Sequence, residues 1–148
     1  MEEKRFISHS HTETEGFGRE LGLGVKGDEV IAMFGGLGMG KTAFVRGLAE
    51  GLGVPPETVS SPTFAIVHEH SGRVRLYHYD MYRVETWEEL DSTGFFEAVG
   101  NGVVAVEWSE NIENALPVPR YELRISSGEN ENERDIMLSY ITSQEGEA

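Results

Sequence analysis

The sequence predicts an α/β fold in which a mixed parallel and antiparallel sheet is flanked by helices. Three observations predict it. Val30 to Phe34 is an apolar run bounded by Asp28 and Gly35, the pattern of a strand buried on both faces. A glycine-rich stretch follows, and then Lys41 to Leu52 places Phe44, Val45, Leu48 and Leu52 on one helical face, with Gly53 and Pro55 as the stop. Near the end, Tyr121, Leu123, Ile125 and then Ile136, Leu138, Tyr140 alternate with polar residues, as an antiparallel hairpin with one solvated face does.

The remaining elements follow from the same rules. Phe6 to His9 reads as an edge strand. Thr14 to Val25, with Phe17, Leu21 and Val25 at helical spacing, reads as a short helix weakened by its glycines. Phe64 to His70 and Val74 to Tyr79 flank Ser71, Gly72 and Arg73 and form a predicted hairpin. Thr86, Trp87, Glu88 and Glu89 make a capping box ahead of a helix expected to run to Val99, with Trp87, Phe95 and Phe96 packing the core. Gly102 to Val106 is a second buried strand. No repeat or low-complexity linker interrupts the 148 residues, so one domain over 1–148 is expected, with 143–148 as a flexible tail.

Composition narrows the function classes. Cysteine is absent, no N-terminal apolar stretch has signal-peptide length, and the longest apolar runs are strand-sized, so the expected compartment is the cytoplasm, with no membrane span. The 26 acidic against 12 basic side chains leave a net charge of −14, which repels a phosphate backbone on average. If nucleic acid is the eventual substrate, another protein holds it.

The chemistry is concentrated in Gly35, Gly36, Leu37, Gly38, Met39, Gly40, Lys41 and Thr42, a full match to the P-loop pattern G-x-x-x-x-G-K-[ST]. At this composition the match arises by chance roughly 0.005 times per chain, and here it also lies between a predicted strand and a predicted helix. The glycines let successive backbone N–H groups converge on a β-phosphate, and the helix N-terminus adds partial positive charge. Lys41, expected exposed at the helix start, reaches the β- and γ-phosphates, and the Thr42 hydroxyl can ligate Mg2+. The expected ligands are therefore ATP and magnesium. A second glycine pattern, Gly22, Gly24 and Gly27, matches G-x-G-x-x-G but precedes a strand instead of following one, so it is not a dinucleotide site.

Other candidates each carry a structural alternative. Asp80 ends the second strand of the predicted hairpin, where it either holds magnesium or its water or simply terminates the strand. Glu107 closes the apolar strand Val103 to Val106, just outside whose carboxyl end α/β folds place ligand-facing groups. Trp108 offers a flat face to a purine base, or packs the core. His68 and His70 share a strand face with His78 across the hairpin, but without a fourth ligand at defined spacing or any cysteine these are read as packed or solvated histidines, not zinc ligands.

Taken together, the motifs resemble the bacterial TsaE (YjeE) family, the ATPase component of the threonylcarbamoyladenosine tRNA-modification system. The resemblance covers roughly Glu13 to Ile136. It rests on Leu37 to Thr42 followed by Phe44, Arg46 and Gly47, on Ser61-Pro62-Thr63, on Tyr79 to Arg83, on Glu89-Leu90 with Gly94, and on Val106-Glu107-Trp108. It implies that Lys41 and its loop hold the triphosphate, that Thr42 and an acidic set of Glu107 and Asp80 serve magnesium and the attacking water, and that Trp108 lies beside the base. Thr63, in a mobile switch segment, is implied to approach the γ-phosphate, and Thr14 and Arg134 to reach the nucleotide pocket. Gly36, Met39 and Ala43 depart from the residues usual in the family's loop, where Asp, Ala and a second Thr stand; Lys41 and Thr42 do not.

The expected function is thus binding and hydrolysis of Mg-ATP in support of a TsaB–TsaD-type heterodimer that modifies tRNA, with tRNA met only through that complex. Two other classes remain open from the residues. One is a free-standing small-molecule kinase, disfavoured by the short chain and the lack of an Arg-rich lid. The other is a nucleotide-dependent partner-binding switch with little hydrolysis, for which no guanine-reading Asn-Lys-x-Asp stretch exists in the chain.

Overall fold

The computed structural model describes residues 2–35, 40–62 and 65–143. In chain order they form β1 (Glu2–Ser8), α1 (His11–Gly24), β2 (Val30–Phe34), α2 (Lys41–Gly51), β3 (Val67–His70), β4 (Leu76–Asp80), α3 (Trp87–Ser92), α4 (Phe95–Ala98), β5 (Val103–Glu107), β6 (Arg120–Ser127) and β7 (Arg134–Ile141), with short 3-10 segments at Pro56–Thr58 and Ser109–Ala115. These strands make one sheet in the order β1-β7-β6-β2-β5-β4-β3. Its centre is parallel, through the pairs β2 with β6, β2 with β5 and β4 with β5. Both flanks are antiparallel, through β3 with β4, β6 with β7 and β1 with β7. The mixed sheet follows from which residues can stay dry: β2 and β5 are buried along their whole length, as strands between two covered faces must be.

Because side chains alternate along a strand, the two buried strands feed two separate cores. Ile31 and Met33 of β2, with Val103 and Ala105 of β5, pack under α1 and α2 beside Phe44, Val45 and Leu48. Val30, Ala32 and Phe34, with Val104 and Val106, pack on the opposite face with Tyr79, Leu90, Phe95 and Ile112.

The glycines of the first helix have a packing role that the sequence pattern hides. α1 begins one turn earlier than expected, capped by Ser10, whose hydroxyl accepts from the Glu13 N–H. It then lies backbone to backbone against α2. A Cβ on Gly18 would meet the Phe44 carbonyl oxygen, one on Gly22 would sit 2.5 Å from the Leu48 carbonyl oxygen, and one on Gly47 would collide with the carbonyl oxygen of Glu15. Gly47→Ala is therefore expected to destabilise the fold by about 1–3 kcal/mol or more through forced helix separation, seen as a lower urea midpoint at constant slope. Gly16→Ala is the control, because nothing lies within 4 Å of its Cβ position; removing a helical glycine there should stabilise by about 0.5–1 kcal/mol. Equal effects at the two positions would refute the close-approach account.

Several boundaries differ from expectation for identifiable reasons. The helix expected from Thr86 to Val99 is broken, because Gly94 adopts φ +80 and caps the new turn α4. The capping box itself is present, with both hydrogen bonds made. Phe95 enters the core, but Trp87 is 62% exposed and lies against Phe96 at 5.2 Å, so Trp87 is not a core residue. Of the first strand of the predicted hairpin, Phe64 lies outside the described residues, and the described strand starts at Val67, after Ile66 takes φ +72, an outlying conformation for a β-branched residue. Its partner, expected from Val74 to Tyr79, runs Leu76–Asp80, starting two residues later and ending one residue later. The edge strand predicted at Phe6 to His9 is present as β1, which begins at Glu2 and stops at Ser8. Of the expected tail, residues 144–148 lie outside the described set.

Candidate functional site

All four parallel strands point their carboxyl ends at one edge of the sheet, and the register brings the chemistry-bearing residues there together. Gly35 follows β2, Asp80 ends β4 and Glu107 ends β5. Asp80 and Glu107 are Cα partners, so their carboxylates share a face on neighbouring strands. Ser8 and Ser127 both pair with Arg134, which carries Arg134 and the start of α1 to that same edge. The segment before β3 is tied in by the Ile66 N–H donating to the Pro62 carbonyl and by the Asp80 N–H donating to the Ile66 carbonyl, at 2.6 and 2.8 Å.

A cleft of about 430 Å³ opens at this edge, lined by Gly40, Lys41 and Thr42 from the start of α2, Asp80, Glu107 and Trp108 from the strand ends, and Arg46, Ser61, His11 and Ala43. Gly40 has φ +91, a left-handed turn into α2 that glycine adopts without strain. Lys41 departs from expectation. It is only 5% exposed, because its ammonium folds back to donate to the Gly35 carbonyl at 2.8 Å and sits 4.9 Å from the centre of the Trp108 ring. A desolvated ammonium needs such partners, and a carbonyl plus an indole face supply them. Trp108 itself has φ +59 and packs at 4.8 Å against Tyr82; a non-glycine residue in this conformation is held there by its surroundings.

Thr14 and Arg134 line an adjoining cavity of about 240 Å³ with His9, Ser10, Asn132 and, shared with the cleft, His11 and Gly40. Thr14 is buried and shares a 2.7 Å hydrogen bond with Ser8. Arg134 donates to the Glu131 and Glu133 carbonyls at 2.9 and 2.8 Å. Next to His9 of this cavity, the Glu13 carboxyl is held below its ordinary range by the His9 backbone N–H and then by the His9 ring. Leu37, Gly38, Met39 and Thr63, together with Gly36, lie outside the described residues.

Thr42, Asp80 and Glu107 form an all-oxygen donor set, which suits a hard cation such as Mg2+, an ion that keeps several waters and takes few protein ligands. Two nearly buried carboxylates side by side also need a positive neighbour. Among the described residues no group of three His, Cys, Asp or Glu is placed to hold a metal. Burial, and then the neighbouring His78 and His68, push the His70 imidazole down from its ordinary value.

Sequence reasoning gave no site role to His11, which lines both cavities, to Arg46 or to His78. Arg46 lies one turn beyond Thr42, a helical spacing that placed it on the same face, yet it was singled out only within the family motif. His78 was weighed only as a metal ligand; its Nε2 lies 2.5 Å from Glu107 Oε2.

The architecture and the cleft define an α/β protein with a strand–glycine segment–helix unit whose polar site lies at the carboxyl edge of a parallel sheet centre. The family model described as threonylcarbamoyl adenosine biosynthesis protein TsaE matches residues 8–136, and the chain belongs to the TsaE family of tRNA threonylcarbamoyladenosine biosynthesis. Similar proteins include the tRNA threonylcarbamoyladenosine biosynthesis protein TsaE of Treponema pallidum (strain Nichols), 39% identical over 82% of this chain and 89% of that protein. The protein of the same name from Bacillus subtilis (strain 168) is 38% identical over 95% and 88%. The crystal structure of Bacillus subtilis YdiB superimposes with a TM-score of 0.75 at 30% identity, covering 95% of this chain and 86% of that one. Among the described residues no helix is long and apolar enough to cross a membrane.

Proposed function

We propose that this protein binds and hydrolyses Mg-ATP in the cytoplasm and that the hydrolysis serves a TsaB–TsaD-type heterodimer that modifies tRNA. The observation that carries this is the convergence of Lys41, Thr42, Asp80, Glu107 and Trp108 on one cleft directly after the glycine segment. Lys41 leaves the Gly35 carbonyl for the β- and γ-phosphates, exchanging a neutral acceptor for charged ones. Thr42, Asp80 and Glu107 would hold the magnesium ion, which would supply charge neutralisation at the phosphates. Glu107 orients the attacking water, Thr63 approaches the γ-phosphate, and Thr14 and Arg134 extend the pocket from the adjoining cavity. Trp108, freed from the Lys41 ammonium, turns its face to the base. With a net charge of −14 the chain meets tRNA only through its partners.

The test uses Trp108 as its probe, in a Trp87→Phe background that removes the exposed indole. ATP should change the remaining emission, while GTP should not compete at equal concentration. ATP turnover should be slow for the lone chain and should rise when a TsaB–TsaD preparation is added, since partners commonly complete sites of this kind. Tight, salt-sensitive tRNA binding by the lone chain, or turnover unmoved by the partners, would overturn the proposal and favour an independent kinase, which a phosphate-acceptor screen would then identify.

A further inference from the structure

His78 is 0% exposed and sits on β4, between β5 and β3 in the sheet. Its Cα partner on β5 is Ala105, whose methyl group leaves space on that face, and the imidazole leans past it to Glu107, two residues further along the same face. The contact is short: Nε2 and Glu107 Oε2 lie 2.5 Å apart, and the imidazole donates there in the tautomer that carries its proton on Nε2. His78 Nδ1 has no hydrogen-bond partner among the described residues, so the ring is oriented by packing and by Glu107 alone.

We propose, on the footing that the cleft hydrolyses ATP, that His78 is the positioning residue for Glu107. The terminal torsion of a glutamate is broad, so backbone placement at the end of β5 does not by itself set the plane of the carboxylate. A single donor on a rigid neighbouring strand does set it. Oε2 is held by the imidazole, and Oε1 is left for the cleft, where water is oriented. The device requires no contact between His78 and nucleotide. This separates it from Lys41, Thr42 and Asp80, which line the cleft while His78 does not.

The experiment compares two substitutions of the full chain, His78→Gln and His78→Asn, assayed for kcat and ATP affinity alongside melting temperature. Both are polar and smaller than histidine, but the glutamine amide reaches the place of Nε2 while the asparagine amide reaches that of Nδ1. Asparagine should lower kcat about 10- to 100-fold, the range for losing the group that orients a functional ligand, with ATP affinity little changed. Glutamine should keep most of the turnover. In a Glu107→Ala background, His78→Asn should change the residual turnover no further, because a residue acting through Glu107 has nothing left to act on. Equal kcat for the two variants, a loss that persists without Glu107, or weakened ATP binding at unchanged kcat overturns the proposal. If the asparagine variant does not fold, a glutamine variant with wild-type melting and lost turnover overturns it equally. A wild-type chain that hydrolyses no ATP with or without partners refutes the ATPase site instead, and is recognised before any variant is made.

Discussion

Lys41→Ala is expected to remove measurable ATP turnover and to weaken nucleotide binding by roughly 10- to 100-fold, while the fold persists. The magnitude comes from one charge-assisted contact, worth about 1.5–3 kcal/mol. In the structure this ammonium is not waiting in solvent: it is committed to the Gly35 carbonyl and the Trp108 face. Nucleotide must therefore compete with those partners, and the free protein should lose about 1 kcal/mol of stability when the donor to Gly35 disappears. Lys41→Arg separates the two effects, because a guanidinium keeps the charge but not the compact geometry of an ammonium. It should retain stability better than turnover. Isothermal binding measurements and phosphate release on the same preparations check both, and wild-type affinity in the alanine variant would remove Lys41 from the site.

The elements around Lys41 were legible because their signals are local. Val30–Phe34, the glycine segment and the apolar face of α2 each fit within one window of sequence, and Gly53 with Pro55 closes the helix. Asp80 and Glu107 were legible for a related reason, since each ends an apolar strand. What the sequence hid is what depends on distant pairing. Nothing local to Gly18 or Gly22 says that Phe44 and Leu48 will lie against them, so the glycines read as weakness. Nothing near His78 announces Glu107, 29 residues away on a strand that pairs in parallel. Gly94 belongs to the family-like motif, yet nothing local announces that it takes a left-handed conformation and breaks α3 from α4 where Phe95 turns into the core. The inward fold of the Lys41 side chain is likewise set by the indole of Trp108, which reaches it only because that residue adopts φ +59.

Glu107→Gln is expected to lower turnover by about 10²–10⁴-fold, the range for a positioned group that takes up or orients a proton in the transition state, while ATP affinity changes far less. The carboxylate acts on water in the step after binding, so its loss is felt in kcat more than in ground-state binding. Two features of the structure sharpen this. Glutamine keeps an oxygen for His78 Nε2–H, so the packing of the buried pair survives and melting should shift little. Asp80, the Cα partner of Glu107, remains to offset magnesium charge, so saturating Mg2+ should not restore the lost turnover. Asp80→Asn should behave differently. Its Oδ1 accepts the Tyr82 N–H at 2.9 Å, a bond the amide oxygen can still accept, and its main loss should be a higher Mg2+ requirement, since a neutral amide oxygen is a poorer ligand for this ion than a carboxylate. Titrating Mg2+ at fixed ATP for each variant distinguishes the roles: turnover recovered by excess metal in Asp80→Asn but not in Glu107→Gln supports a division between metal binding and water orientation, whereas the reverse order exchanges the two carboxylates, and normal hydrolysis in both removes them from the chemistry.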